Sequence, residues 1–123
     1  MSKKIMGRIS HDKGFIKVEV PVVFFEDDGI YYAHIPPLDI TGYGNNEKEA
    51  RHSLTVMVDE FINYTTENNT LNSELERLGW VKQPEIHYPP ISDLIPKNDQ
   101  LKDAIDNKTP RIERIDIEMP VLI

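Results

Sequence analysis

The chain has no cysteine among its 123 residues. This absence excludes disulfide bonds and metal sites built on thiolates. Long apolar runs are missing too, and nothing approaches the roughly 18 consecutive apolar residues of a membrane-spanning helix. The N-terminal segment holds lysines but lacks the apolar stretch of a signal peptide. These absences predict a cytoplasmic protein without a membrane association.

Basic side chains are scarce relative to acidic ones. The 14 Lys and Arg against 21 Asp and Glu give a net charge of -7. Because neutralisation of phosphates by Lys and Arg dominates affinity for nucleic acids, this balance argues against nucleic-acid binding. The acidic excess is heaviest in residues 45–80, with 3 basic and 7 acidic side chains. It indicates either a solvated helical surface or a surface that attracts a basic protein partner.

Motifs for catalysis and for metal or nucleotide binding are also lacking. The histidines form no HxH or HxxxH pair, so a metal site has no local support; they are His11, His34, His52 and His87. No nucleophile elbow, Walker A or Rossmann pattern is present. The acidic pairs Asp27-Asp28 and Asp59-Glu60 are typical of a turn and of a solvated helix face. We therefore expect a non-enzymatic protein with no catalytic residues, metal or cofactor.

An alternating strand pattern occupies residues 15–26. In residues 15–26 apolar side chains recur at every second position; on one face they are Val18, Val20, Val22 and Phe24. Asp28-Gly29 is typical of a two-residue hairpin turn and predicts that Phe24 lies opposite Ala33. The alternative is a three-residue loop, Asp27-Asp28-Gly29 with a bulge, which would change the cross-strand partners. Pro21 predicts an edge or bulge at its position, since it cannot donate a ladder hydrogen bond. A short third strand is predicted at about residues 38–43.

Helical spacing begins after Asn46, which is a good N-cap with Glu49 three residues later. Apolar positions then predict one helix from about Glu47 to Thr66; they are Ala50, Leu54, Met57, Val58, Phe61 and Ile62. A shorter helix should follow and end at Gly79, with Trp80 packing back on Leu75.

From Gln83 onward the composition changes to a polar, proline-rich segment. It predicts one short helix near residues 99–106 and a final strand with an alternating apolar face. The predicted fold class is α+β: a small antiparallel sheet in the order β-β-β-α-α-β, one long helix on one face, and a C-terminal extension ending in a strand. We divide the chain into a domain of residues 1–80 and an extension of residues 81–123.

The final strand should pair with a sheet, either its own or that of a neighbouring copy. Its apolar side chains predict an oligomer contact; the residues are Ile117, Met119, Val121 and Ile123. A homodimer or larger homo-oligomer is therefore expected.

The second face of the predicted hairpin carries aromatic side chains that a sheet with one helical cover does not need. The residues expected there are Val23, Phe25, Tyr32 and His34. Such a patch marks either a second packed layer or a binding surface. We predict these four as partner-binding residues, with the alternative that the C-terminal extension folds over them.

Motifs between Val18 and Trp80 follow a distinctive order. They are Pro21 in a strand, the acidic turn Glu26-Asp27-Asp28-Gly29, the aromatic strand Tyr31 to Pro36, then Gly44, and the helix opening Asn46 to Ala50. Each motif alone is weak, but their order and spacing resemble the HicB-type antitoxin domain over roughly half of the chain.

The resemblance implies a partly degraded ribonuclease-H-like sheet without nuclease activity. Family members bind and occlude a small basic RNA-cleaving toxin, and they often dimerise. We therefore expect a protein-binding module like the antitoxin of a HicA/HicB-type toxin-antitoxin system. The alternative is an orphan relative that binds a small ligand or RNA on the aromatic face.

This chain departs from the family pattern at two places. The segment after Pro36 is short and lacks the usual Pro-Gly step, so a toxin-contacting loop differs. Family members often carry a separate C-terminal ribbon-helix-helix or helix-turn-helix with which they repress their own operon. Residues 81–123 contain no recognisable helix-turn-helix or basic strand, so DNA binding is not expected.

Overall fold

Five strands and four helices make up the computed structural model, which describes residues 5–10, 14–82 and 84–120, without the side chains of residues 5–10. The strands are β1 Ile5–Ser10, β2 Phe15–Asp27, β3 Ile30–Ile35, β4 Ile40–Gly44 and β5 Arg111–Pro120. The helices are α1 Glu47–Glu67, α2 Leu71–Arg77, α3 Ile91–Leu94 and α4 Asp99–Asn107, with a 3-10 turn at Ile95–Lys97. The predicted α+β class is confirmed, and β1 is an addition to the predicted order.

The long strand β2 is the centre of an antiparallel sheet. Along one edge it pairs with β5 through ten residue pairs, from Phe15–Pro120 to Phe24–Arg111. On its other edge, β1 pairs at the beginning of β2 and β3 pairs at its end. Pro21 lies between those two pairings, where its missing N–H leaves no ladder bond unmade.

The hairpin between β2 and β3 has the predicted register, with Phe24 opposite Ala33 and Phe25 opposite Tyr32. Asp28 and Gly29 both adopt positive φ angles of 55° and 82°. These angles match the primed turn whose twist suits an antiparallel pair.

Helix α1 covers one face of the sheet and begins as predicted. The Asn46 side chain accepts a hydrogen bond from the Glu49 N–H at 2.9 Å. Glu49 reaches back to the N–H of Asn45, one residue before the N-cap, also at 2.9 Å. The buried side chains of α1 face the sheet; they are Ala50, Leu54, Val58, Ile62 and Thr65. The core below them is formed largely by Val18, Val20, Val22, Ile35 and Met119.

Two arginines join α1 to β5. Arg51 contacts Glu113 at 3.2 Å, and Arg111 contacts Glu47. Both guanidinium groups lie over the Phe24 ring, at 4.6 and 4.9 Å from its centroid. The hydrogen bond from Arg111 lowers the pKa of Glu47. The final strand therefore belongs to the same sheet and contacts the same helix as the N-terminal part.

The segment from α2 to Tyr88 closes the opposite end of the core. The N–H of Trp80 donates to the carbonyl of Leu75 at 2.9 Å, which ends α2 as predicted. Its indole Nε1 donates to the Pro37 carbonyl at 2.8 Å. The Tyr88 hydroxyl donates to the Glu19 carbonyl at 3.0 Å, on the β2 edge between β1 and β3.

The second face of the sheet is covered by residues 91–107, which we call the covering segment. Leu101 and Ala104 of α4 form a small core with Val23 and Phe25, and Ile91, Ile95 and Ile105 pack against it. Of the two alternatives that the sequence left open for this face, the structure has the cover by the chain's own extension.

Candidate functional site

The four predicted partner-binding residues lie together on one face of β2 and β3, but under the covering segment. Val23, Phe25 and His34 are at most 5% exposed. Tyr32 is half-buried, and its ring stacks on Phe25 with centroids 5.1 Å apart. A partner that touched Phe25 would first have to displace α4. Their role in partner binding stays a prediction, and their position does not support it.

The predicted oligomer-contact residues are in a similar situation. Ile117 and Met119 are buried in the chain's own core, 5% and 0% exposed. Val121 and Ile123 lie outside the described residues. The oligomer itself stays a prediction, but Ile117 and Met119 offer no free surface for it.

A pocket of about 170 Å³ opens beside His34, between the β3–β4 turn, the end of α2 and the covering segment. The Nδ1 atom of His34 lies 2.7 Å from the Thr41 hydroxyl, and its Nε2 lies 4.0 Å from the Asp39 carboxylate. Asn98 donates to Asp39 at 3.3 Å. Arg77 and Lys97 also line the pocket. Burial lowers the pKa of His34, and the nearby Asp39 partly opposes this.

The free energy of unfolding should therefore fall as the medium becomes acidic. Since the folded-state pKa of His34 lies below the value near 6.5 of an unfolded chain, the unfolded state binds the proton first. The contribution is fully present above about pH 6.5 and declines as pH falls toward the folded-state pKa. Each unit of pKa difference corresponds to about 1.4 kcal/mol.

Urea unfolding at several pH values between about 5 and 8 measures this contribution. The His34→Gln variant should show a flatter dependence of unfolding free energy on pH than the wild type. The control is His52→Gln on the exposed side of α1, which should keep the wild-type dependence. An equal dependence of unfolding free energy on pH in the wild type and in His34→Gln would contradict the assignment of this effect to the buried His34.

A wide, open depression is on the outer side of α1, and we call it the α1 groove. It has a volume of about 650 Å³ and is lined by Ile40, Met57, Glu60, Phe61, Asn63, Tyr64 and Glu67. Met57 is 40% exposed and Tyr64 is 68% exposed. Met57, Phe61 and Tyr64 follow one another at helical spacing, so they form a second apolar stripe beside the buried one.

Carboxylates border this stripe without neutralising partners. Glu60 and Glu67 line the α1 groove, and the adjacent Asp59 is also exposed. None of the three takes part in an ion pair within the described ranges 5–10, 14–82 and 84–120. The last turn of α1 has no basic residue. The groove thus combines exposed apolar surface with uncompensated negative charge.

Part of the apolar stripe in the α1 groove was visible in the sequence. Met57 and Phe61 fit the apolar spacing of α1 and were expected to face the core with Leu54 and Val58. The apolar positions span more of the helix than the sheet covers, and the excess width is exposed. A helix whose apolar stripe is wider than one packed face is the pattern that points to such a surface.

Other kinds of site find no support in the described part of the chain. It contains no group of three or more His, Asp or Glu side chains arranged to hold a metal ion. None of its helices combines the length and the apolar character needed to cross a membrane. Comparison with family models, curated proteins and solved structures finds no match. The interpretation of the surface therefore depends on this chain's own residues.

Proposed function

We propose that this protein is a non-enzymatic protein-binding module that binds a small basic protein through the α1 groove. In this proposal it acts in the cytoplasm as an antitoxin of the HicB type, or as a relative of one, and its partner is the RNA-cleaving toxin. The observation that carries the proposal is the combination in the α1 groove of exposed Met57 and Tyr64 with the carboxylates Glu60 and Glu67, which form no ion pair with any side chain that the structure describes.

The chemistry of the groove supports a basic protein as the occupant. Aromatic and methionine side chains provide the desolvated anchors that protein interfaces favour. Carboxylates at the rim attract Lys and Arg side chains and suppress acidic partners. The net charge of -7 adds long-range attraction to a basic partner.

The alternative function, a ligand or RNA stacked on the aromatic sheet face, has less support. Phe25 is 5% exposed and lies under α4, so its ring offers no open stacking surface. Proteins that bind single-stranded nucleic acids by stacking bases on aromatic side chains also need a positively charged groove beside those side chains.

Charge reversal in the α1 groove should weaken binding of the partner. The chain is co-expressed with the product of the adjacent reading frame, and the affinity of the purified pair is measured by calorimetry. The double variant Glu60→Lys/Glu67→Lys should bind about tenfold more weakly, equivalent to ~1.4 kcal/mol, because the two introduced ammonium groups repel the basic partner where the carboxylates attracted it.

The matched control is the double variant Glu26→Lys/Glu76→Lys, at two exposed carboxylates outside the groove. It changes the net charge by four, as the groove variant does, but should keep the affinity within about twofold at physiological salt, where charges beyond about 8 Å are screened. Absence of a basic protein from the complex, or equal weakening by the groove variant and the control, would overturn the proposal.

A further inference from the structure

The outer edge of β5 is a row of unused backbone hydrogen-bonding groups. One edge of β5 pairs with β2 along its whole length. No strand of the described ranges pairs with its other edge. Edge strands of this length are templates for pairing with another chain, and charges along the edge oppose pairing unless the second chain places opposite charges beside them.

The direction of the backbone groups on β5 follows from its pairing with β2. Pro21 has no N–H, the Glu19 carbonyl accepts a hydrogen bond from Tyr88, and Asp27 closes the two-residue hairpin. Each of these observations indicates that the odd-numbered residues of β2 direct their backbone N–H and C=O groups away from β5. Hydrogen bonds between the two strands therefore come from the even-numbered residues of β2 and the odd-numbered residues of β5. The even-numbered residues of β5 direct their N–H and C=O groups outward; they are Ile112, Arg114, Asp116 and Glu118.

The side chains at these outward positions carry an imbalance of charge. Asp116 lies directly opposite Glu19 in the register, at a non-hydrogen-bonded position where side chains are closest. Two carboxylates placed opposite each other are destabilising. Arg114 is exposed, lies opposite Pro21, and has no ion pair within the described residues. A cation beside Asp116 and an anion beside Arg114 would therefore be stabilising.

We propose that two copies of this chain pair antiparallel through β5, with Arg114 of each copy opposite Asp116 of the other. The two-fold axis passes between the two Ile115 residues. Each outward-pointing residue from Ile112 to Glu118 then meets an outward-pointing residue of the second copy, which is the condition for ladder hydrogen bonds. The result is one continuous sheet across the dimer.

Charge selects this register among those that satisfy the backbone. A shift by two residues in one direction places Arg114 opposite Arg114 of the second copy. The same shift in the other direction places Asp116 opposite Asp116. The first of these shifts sets two arginines against each other. The second pairs Arg114 with Glu118 but sets the two Asp116 carboxylates against each other. The proposed register supplies two opposite-charge pairs with no like-charge pair, and it places a cation beside the Glu19–Asp116 pair.

The inference is independent of the proposed basic partner. The α1 groove is formed by α1 and the beginning of β4, whereas the dimer edge is on β5. A result that rules out the β5 dimer therefore leaves the proposed basic partner untouched, and a result that rules out the basic partner leaves the dimer untouched. The predicted oligomer is retained, but its contacts are the β5 backbone with Arg114 and Asp116 instead of the buried Ile117 and Met119.

Charge-swap variants test both the dimer and its register by sedimentation velocity. Wild type should sediment as a dimer, while R114D and D116R should each raise the dimer dissociation constant at least tenfold. An equimolar mixture of R114D and D116R should restore the dimer, because each mismatched position then meets its opposite charge. The control Lys48→Asp, an exposed charge reversal on α1, should leave the dimer unchanged.

A cysteine variant locates the axis, since the natural chain has no cysteine. Cross-strand positions without hydrogen bonds have Cα atoms about 4.5 Å apart, within the range of a disulfide. Oxidised Ile115→Cys should therefore migrate as a covalent dimer. Ile112→Cys should not, although Ile112 is 50% exposed, because it lies opposite Glu118 of the second copy. A wild-type monomer, a mixture that stays monomeric, or cross-linking at Ile112 in place of Ile115 would overturn the proposal.

Discussion

Substitution of Gly42 by alanine should strongly destabilise the fold. Gly42 lies in β4 directly under α1, and a Cβ atom there would lie 2.6 Å from the Leu54 Cα and 2.7 Å from the Ala50 carbonyl oxygen. It would also contact the Leu54 backbone nitrogen. Since these are backbone atoms of a 21-residue helix, no rotamer change relieves the overlap.

We expect Gly42→Ala to lower the free energy of unfolding by about 3 kcal/mol or more, at the upper end of overpacking effects. The measurement is urea unfolding monitored by circular dichroism. The control is Gly29→Ala, where nothing lies within 4 Å and only the positive φ of 82° opposes a side chain. That substitution should cost about 1 kcal/mol. A loss at Gly42 no larger than at Gly29 would show that α1 does not approach β4 this closely.

Substitution of Leu101 by alanine should release the covering segment from the sheet. Leu101 is 2% exposed and packs with Val23 and Phe25 through α4. Removal of a buried leucine side chain costs about 2–5 kcal/mol. Because the second core holds only two buried residues of α4, Leu101 and Ala104, this loss should act first on the docking of that helix.

Amide hydrogen exchange distinguishes such a local release from global unfolding. In Leu101→Ala, the α4 amides should exchange at least ~30-fold faster, the equivalent of 2 kcal/mol, while the amides of α1 change less. The matched control is Leu75→Ala, a leucine 1% exposed in the main core. It should destabilise the protein without a selective effect on α4. Unchanged exchange of α4 in Leu101→Ala would contradict the packing of the second core.

Much of the fold was predictable because its signals are local. The Asp28-Gly29 turn fixed the hairpin register, since the primed turn demands positive φ angles that Asp and Gly tolerate. The Asn46 cap marked the beginning of α1 to the residue. The short helix predicted at residues 99–106 is α4, with Asn98 as a cap that accepts from the Leu101 N–H. Strand β1 was not predicted, because IMGRIS has only a weak alternation.

The candidate site was harder to predict because it depends on pairing between distant segments. Periodicity identified the apolar face with Phe25, but not the segment that covers it. The two apolar strands around Val18 and Ile117 were each visible, yet nothing local showed that they pair with each other. The α1 groove became visible only when the width of the sheet under α1 was known, since Met57 and Phe61 fit a core pattern equally well.

The covered second face has a direct consequence for function. An uncovered Phe25 and Val23 would offer an apolar sheet surface to a partner, whereas their cover by α4 removes that surface and leaves the α1 groove exposed beside acidic residues. The choice of the α1 groove over the sheet face as the partner site therefore depends on the intrachain origin of this cover.

An isotope-filtered NOE experiment tests that claim most directly. Cross-peaks between the Ala104 methyl group and the Phe25 ring report whether α4 packs on the sheet, and a mixture of labelled and unlabelled chains separates contacts within a chain from contacts between chains. We predict these cross-peaks in the uniformly labelled protein and none in the interchain-filtered spectrum of the mixture. Their absence, or their appearance between chains, would contradict the account.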